Sequence, residues 1–351
     1  MKPKNADAFL PPLAGLAAGW LAFSLLVWAY GASPRAMAVL LFDGTWGTSY
    51  GAGQVLFKAT PLLFTGIAVD LALRAGLFNV GADGQLAVAS LVVGVVGSRL
   101  PLGTPAAVAL PVVLAAAMAA GAMWATVPAL LKGRFGAHEV ISTIMMNRIA
   151  DGAIGLAIAS GFGLTGTVRT ADVVAGARMP RLEAVFSMFR GSAASFALVA
   201  AVVAAVLAEL AHQRTRFGRE LGLIGMNPRA MEAEKVPVRR RLEQALVVSG
   251  AIAGAASLGT VLGYKGYFEE GLGAGAGFGG VAVALLGRGN ALGLIGAALL
   301  FGTLQQGGLA LNAHVPKELM DVLQGVVICA VALSDARLCA NIGGALVGAK
   351  A

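Results

Sequence analysis

Asn79, Asp83 and Gln85 lie among three glycines at the start of a long apolar run, in the stretch AGLFNVGADGQLAVAS (75–90). Charged side chains and glycine-interrupted backbone are costly in lipid, because their polar groups lose water there. We therefore expect this backbone to line a cavity that is walled by protein or filled with water. Two roles stay open for the side chains: they line a path for a polar solute, or they cap a discontinuous helix, where Asp83 favours the N-terminal dipole.

A second polar set lies farther along the chain, in HEVISTIMMNR (138–148). Its members at helical spacing are Glu139, Ser142, Thr143 and Asn147. Glu139 and Thr143 share one helix face, with Asn147 a turn further along. This face either points into a solute pathway or forms a cap and interhelical hydrogen bonds. Arg148 and Asp151 are spaced i, i+3, so we expect them to pair, which lowers the cost of charge in a membrane.

The most basic stretch, 213–243, holds eight of the 26 Lys and Arg residues and lies between two apolar runs. The positive-inside rule predicts that it is a cytoplasmic loop. Within it, GMNPRAMEAE (225–234) predicts a short helix, with Asn227 as the cap, Pro228 in the first turn and good helix formers after them. The loop is either a topology anchor or a docking surface for another protein, and the capped helix favours docking.

Composition defines the class of protein. The 351 residues are 58% hydrophobic and 13% charged, with a mean hydropathy of +0.79. This predicts an all-α, polytopic membrane protein with a single transmembrane domain over 1–351. The net charge of +8 lies in the connections between apolar runs, which argues against nucleic-acid binding. Two cysteines at different predicted depths (Cys329, Cys339) and three scattered histidines predict neither a disulfide framework nor a metal site.

The apolar runs predict ten crossings with both termini in the cytoplasm, and eight to ten remain possible. The predicted spans are 8–34, 55–73, 77–97, 106–131, 138–161, 193–210, 244–264, 271–287, 291–311 and 319–333. Segments 33–53 and 162–192 are predicted to be external loops. On this path 16 Lys and Arg lie inside and eight outside, as the charge rule requires. Runs 77–97 and 271–287 are short and interrupted by glycine, as in transporters built from inverted repeats.

The sequence contains no G-x-x-x-x-G-K-[ST] motif, so it lacks the loop that cradles nucleotide phosphates. Transport energy must then come from a partner or from an ion gradient. Two hypotheses follow: the permease half of an ATP-driven importer, or a self-sufficient secondary transporter. In the second, the ion would be coupled by Asp70, Asp83, Glu139 and Asp151. An enzyme is disfavoured, because no nucleophile, base or metal set converges.

Four stretches together resemble a known family. They are GLFNVGADGQ (76–85), EVISTIMMN (139–147), GMNPRAMEAEKVPV (225–238) followed by VSGAIAGAAS (248–257), and GFGGVAVALLGRGNALGLIGAALLFG (277–302). In this order they resemble ABC-transporter permeases of the branched-chain amino acid and ribose superfamily, and most of all the longer permease subunit of bacterial nucleoside importers. Departures from the family pattern are Asp83 for Glu, His138 for Asn, and Glu234–Lys235 for a small Ala-Gly pair.

The resemblance implies a multi-pass subunit of the bacterial inner membrane that imports nucleosides, with a ribose-like sugar as the alternative. Its implied partners are an ABC ATPase, a paralogous second permease and an external substrate-binding lipoprotein. No cofactor is expected in this chain, because ATP and Mg would be bound by the ATPase. The 213–243 loop would dock into that ATPase through Gly225, Asn227, Pro228, Arg229, Ala230 and Glu232.

Overall fold

The structure is a computed structural model that describes the backbone of residues 5–316 and 318–334 and the side chains of 17–316 and 318–330. The described chain is all-α, as predicted. Its thirteen α-helices are α1 (Asn5–Ala29), α2 (Pro34–Thr45), α3 (Ser49–Arg74), α4 (Ala82–Arg99), α5 (Ala106–Phe135), α6 (Glu139–Ala157), α7 (Ala197–Arg214), α8 (Arg216–Met226), α9 (Pro228–Ala233), α10 (Val238–Ala255), α11 (Ala276–Gly287), α12 (Ala291–Leu311) and α13 (Glu318–Ser334). Wider π-helical turns extend α6 over Ile158–Phe162 and α10 over Leu258–Lys265.

Six described helices are long and apolar enough to cross a membrane: α3, α5, α6, α7, α10 and α12. The consecutive helices α1 and α2 are bent by 116° and together meet the same test. Every predicted span coincides with a helix, but α4 has 18 residues and α11 only 12. The chain is therefore a multi-pass membrane protein, whereas the number of crossings and the side of each terminus stay predictions. Terminal charges used for that prediction (Lys2, Lys4, Arg337, Lys350), with Lys317 and Cys339, lie outside the described residues.

The prediction that 33–53 is a loop is wrong, whereas its external side stays a prediction. Most of it is helical, because α2 fills 34–45 and α3 begins at Ser49. Ser33 caps α2, accepting from the Ala36 N–H at 3.5 Å, and Pro34 takes the first position, where its missing N–H costs nothing. A Ser-Pro pair after a long helix resembles a loop signal, but here it starts a new helix.

Two compact units make up the chain. One comprises 1–55 and 303–351, and within it α1, α2, the end of α12 and α13 share an apolar core. Its buried members are Phe23, Val27, Met37, Leu311, Val315, Met320 and Leu323. Trp46 donates its indole N–H to the Thr303 hydroxyl at 3.1 Å.

The other unit, 56–302, is organised around α3 and α10. In each of these two helices, 78% of the most apolar 18-residue stretch is buried. Helices α5 and α10 approach very closely, since a Cβ at Gly121 would overlap the Gly250 carbonyl. In contrast, only 28% of the most apolar stretch is buried in α5 and in α6, and only 17% in α7. Large faces of these three helices are therefore left for lipid or for other proteins.

Residues 162–192 form an ordered segment with three short 3-10 turns. The segment pairs with 266–270: Thr170 N–H donates to the Phe268 carbonyl at 2.9 Å and Val173 N–H to that of Gly266 at 2.8 Å. The chain between α10 and α11 is thereby held in place before it reaches the start of α11.

Candidate functional site

The chain breaks between α3 and α4, and Asn79 organises the break. Its Oδ1 accepts from the Gly81 N–H at 3.0 Å and from Gln85 Nε2 at 3.2 Å, while its Nδ2 donates to Gln85 Oε1 at 3.0 Å. Both side chains are buried, with 0% and 1% exposure. The two amides thus satisfy each other and hold Gly81, the residue that precedes α4.

Asn79 also links α4 to the two central helices. Its Nδ2 contacts the Ser249 hydroxyl of α10 at 2.7 Å, and that hydroxyl donates to the Ala68 carbonyl of α3 at 2.6 Å. A buried polar network of this kind holds its elements firmly, because each lost partner leaves a polar group unsatisfied, at about 1–3 kcal/mol. The break is therefore fastened to both α3 and α10.

Asn147 reaches the same helix start from α6. Its Oδ1 accepts from the Gly84 N–H and its Nδ2 donates to the Val80 carbonyl, both at 3.0 Å. A Cβ at Gly84 would lie 2.8 Å from Asn147 Oδ1, so the contact requires glycine there. Asn147 thus joins the polar face of α6 to the break.

Asp83 lies where the N-termini of α4 and α11 meet. Its Oδ1 accepts from the Gly277 N–H of α11 at 2.9 Å, and a Cβ at Gly277 would overlap the Asp83 backbone. The left-handed φ of +82° at Gly275 turns the chain into α11. Two half-helix N-termini converging on one point form the arrangement by which discontinuous helices bind solutes in transporters.

A small, open cavity lies beside this meeting point. Two of the predicted pathway residues, Asp83 and Asn147, line it, together with Arg148 and Asp151 of α6. The expected Arg148–Asp151 ion pair is confirmed at 3.6 Å, with side chains 82% and 65% exposed. Charges so exposed on a membrane helix must face water or protein.

Glu139, Ser142 and Thr143 lie at the turn that joins α5 to α6. Lys132 pairs with Glu139 Oε2 at 2.7 Å, and the Ser142 and Thr143 hydroxyls donate to the Glu139 carbonyl at 3.1 and 2.7 Å. Thr143 is buried against Gly81. A Cβ atom at Gly81 would lie 3.0 Å from the Cβ of Thr143. Along the described chain, these three residues and the Asn79–Gln85 pair are not among those that line the cavity.

The basic stretch is largely helical, in α8, α9 and the start of α10. As predicted, Asn227 caps the short helix, its Oδ1 accepting from the Ala230 N–H at 3.1 Å with Pro228 at the first position. The helix starts at Pro228 rather than at Gly225, which belongs to α8. It ends in a Schellman motif, with Val236 N–H bonded to the Met231 carbonyl and Lys235 N–H to that of Glu232, both at 3.0 Å.

Gly225 connects this segment to the break. A Cβ there would overlap the Arg74 carbonyl at the end of α3 and lie 3.1 Å from the Gly76 nitrogen. Arg74 in turn pairs with Asp70 at 2.8 Å and with Glu209 of α7 at 2.9 Å, and it donates to the Gly289 carbonyl at 2.8 Å. The end of α8 therefore rests on a residue that holds two other elements, α7 and the turn between α11 and α12.

Glu220 fixes α8 to α10. Its carboxylate accepts from Arg216 Nε at 2.6 Å and from Arg241 Nε of α10 at 2.5 Å. The hydrogen bond from Arg216, together with that from Arg241, holds the pKa of this carboxyl below its usual range, against the opposing effect of burial. The segment is thus attached to the membrane helices at both Gly225 and Glu220.

Comparison with known proteins identifies the family. The family described as branched-chain amino acid transport system / permease component matches residues 51–332. The chain belongs to this permease family. The permease is 34% identical to the guanosine ABC transporter permease protein NupP of Bacillus subtilis, over 95% of each chain. It is 29% identical to the nucleoside ABC transporter permease protein NupB of Lactococcus lactis, over 92% of its own length and 90% of the relative.

A third relative is named for a sugar. The glucose ABC transporter permease protein TsgB13 of Haloferax volcanii is 31% identical, over 93% of the permease and 86% of the relative. No solved structure matches the permease.

Sequence reasoning missed two residues of this site in the permease. They are Ser249 and Arg74. Ser249 lies in a run of small residues, where a hydroxyl signals a buried hydrogen bond. No local pattern indicates that the carbonyl of Arg74 meets Gly225.

Proposed function

We propose that this permease is the transmembrane subunit of an ATP-driven importer of nucleosides. The observation that carries the proposal is its 34% identity with the guanosine permease over 95% of both chains. Because the match runs almost end to end, it includes both the break at α4 and the basic segment. The role is transport, and the chemistry of ATP hydrolysis is assigned to a separate ATPase.

The ATPase docks on α9 in this proposal. Every residue from Gly225 to Ala230 is exposed, as is Glu232, and Met226 exposes 82% of an apolar side chain. An exposed apolar residue beside a capped helix suits a protein partner. The docking residues are Asn227, Pro228, Arg229, Ala230 and Glu232, and Gly225 couples them to the end of α3.

Movement of the ATPase is transmitted to the solute path through the backbone contact between Gly225 and Arg74. A shift of α8 displaces the carbonyl of Arg74 and the turn at Gly76. This turn leads into the hydrogen-bond network of Asn79, just before α4. Since α4 and α11 meet at Asp83, the shift changes the cavity between them. Outward- and inward-facing states then exchange with the ATPase cycle.

The seven polar residues divide into two groups in this account. Asp83 and Asn147 line the path. The other five position the elements around it: Asn79, Gln85, Glu139, Ser142 and Thr143.

A second, paralogous permease covers the exposed face of α6. That face carries Arg148 and Asp151 beside apolar residues such as Ile144 and Ile149, a mixture that lipid does not favour. An external binding lipoprotein delivers the solute on the side of the ordered segment 162–192. The permease lies in the inner membrane of a bacterium, with both of its termini in the cytoplasm.

The test is uptake by the reconstituted complex. The permease is purified with its ATPase, second permease and lipoprotein and placed in proteoliposomes, with labelled guanosine, ribose and glucose as solutes. We expect guanosine to accumulate only when ATP is present on the ATPase side. Accumulation driven by an ion gradient without ATP would overturn the proposal in favour of a secondary transporter.

A sugar importer is the second candidate, because the glucose permease is 31% identical over 93% of the chain. The same assay separates the two, since uptake of ribose or glucose without guanosine would favour the sugar.

A further inference from the structure

The cavity beside Asp83 also has an aromatic wall, to which the proposed function assigns no role. Phe278, in the first turn of α11, lines the cavity with 53% of its surface exposed, and Phe268, also in the lining, is 2% exposed. An exposed phenyl ring in a membrane protein is unremarkable when it faces lipid. Here it shares a cavity with charged side chains, so its face is open to a solute that is partly polar.

The position of Phe278 is fixed relative to the polar wall. Its neighbour Gly277 donates its N–H to Asp83 at 2.9 Å, and a side chain at Gly277 would overlap Asp83. The ring therefore follows directly after the contact between α4 and α11. Any movement of that contact moves the ring with it.

The lining of the same cavity also contains hydrogen-bond acceptors. It contains Asp151, held by Arg148 at 3.6 Å, and the exposed Glu270. Within the described chain the Glu270 side chain has neither an ion-pair nor a hydrogen-bond partner. Carboxylates accept hydrogen bonds from hydroxyl, amino and ring N–H groups.

A solute that fits these walls has a flat apolar face and several hydrogen-bond donors. A nucleoside has both: a base that stacks on aromatic rings, and ribose hydroxyls with base N–H groups that donate. A free sugar supplies the donors without the flat base.

We propose that Phe278 stacks the nucleobase during passage and that Asp151 and Glu270 accept its hydrogen bonds, which makes Phe278 a specificity-determining residue. This proposal rests on the proposed function. It assigns selectivity for the base to the permease itself, in addition to any selectivity of the external binding protein.

The test compares Phe278→Leu, Phe278→Tyr and a control, Leu285→Ala, on the same helix, where Leu285 is 41% exposed. Leucine keeps apolar bulk, and thus membrane insertion, but removes the aromatic face. Because stacking on one base contributes a roughly 5- to 150-fold effect on binding, Phe278→Leu is expected to lower the rate of guanosine uptake at low guanosine concentration by that factor. Phe278→Tyr and Leu285→Ala should retain it.

Rates are divided by the amount of inserted permease, so a variant that folds poorly is not mistaken for an inactive one. Asp151→Asn, which keeps the side-chain shape, should lower guanosine uptake less than Phe278→Leu does. Guanosine uptake unchanged in Phe278→Leu, with an active wild type, would overturn this inference alone. A wild type that takes up no nucleoside would instead contradict the proposed function.

Discussion

The Cα of Gly225 lies against the main-chain carbonyl of Arg74, so closely that a single methyl group at position 225 would overlap the oxygen. Gly225 lies in the last turn of α8, which precedes the exposed α9, and Arg74 ends α3 immediately before the break that leads to α4. Contact between two backbones leaves no flexible side chain to absorb movement. A displacement of α8 must therefore move the end of α3 or break the contact.

Removing the cap of α9 is expected to weaken docking of the ATPase. The double change Asn227→Ala and Pro228→Ala removes the acceptor of the Ala230 N–H and the preset first turn, at a cost of about 1 kcal/mol for the cap. Less ATPase should co-purify and uptake should fall, whereas Asn227→Asp, which still caps, should behave as wild type. Full uptake with the ATPase still bound would remove the coupling role from this helix.

Lys235 is expected to destabilise the end of α9. Its φ of +59° is left-handed, a conformation that costs a side chain roughly 1 kcal/mol and glycine nothing. Lys235→Gly should therefore slow hydrogen exchange at the Val236 amide by about five-fold, as measured by mass spectrometry on the purified permease. Lys235→Ala, which keeps the Cβ, is the control. Equal slowing in both variants would show that loss of the charge, rather than relief of backbone strain, is responsible.

Asp83 is expected to be required for transport beyond its role as a cap. Asp83→Ala removes the acceptor of the Gly277 N–H as well as the charge in the cavity, so uptake should be abolished while membrane insertion is intact. Asp83→Asn keeps an oxygen for Gly277 and should retain part of the uptake. Normal kinetics in the alanine variant would reduce Asp83 to a dispensable cap.

The attachment of α8 through Glu220 is expected to depend on pH. Because its two arginine partners lower the folded-state pKa below the ordinary value of about 4.3, the stabilisation is complete above that value and is lost as the pH falls through the folded pKa. Glu220→Gln should lower the melting temperature at pH 7, and the difference from wild type should shrink as the pH falls below about 4. Glu232→Gln, an exposed site, is the control, and a difference that does not vary with pH would contradict the ion-pair explanation.

Features that depend on neighbouring residues were predictable from the sequence. The Asn227–Pro228 cap and the Arg148–Asp151 pair each join residues within one helical turn, so the pattern of residue types was sufficient. Lys235 stands where the family pattern has the glycine of an Ala-Gly pair, and its backbone is in the left-handed conformation that favours glycine. Helix α2 was missed, because its Ser-Pro start also signals a turn.

Contacts between distant residues were not predictable. Asn79 and Ser249 are 170 positions apart, and Asn147 and Gly84 are 63 apart, yet these pairs hold the start of α4 against α10 and α6. From residue type alone, lining a solute path and capping a helix were equally possible roles, because a buried amide can serve either. The choice depends on which helices pack together, and that information lies in the whole core rather than in any one stretch.

The most direct test of the account is the ratio of guanosine taken up to ATP hydrolysed in Gly225→Ala. Its control is Gly296→Ala on α12, where a Cβ would have no neighbour within 4 Å among the described residues. We expect Gly225→Ala to keep the bound ATPase and its hydrolysis while uptake per ATP falls, because the contact with Arg74 no longer transmits the movement. An unchanged ratio in Gly225→Ala would contradict the account.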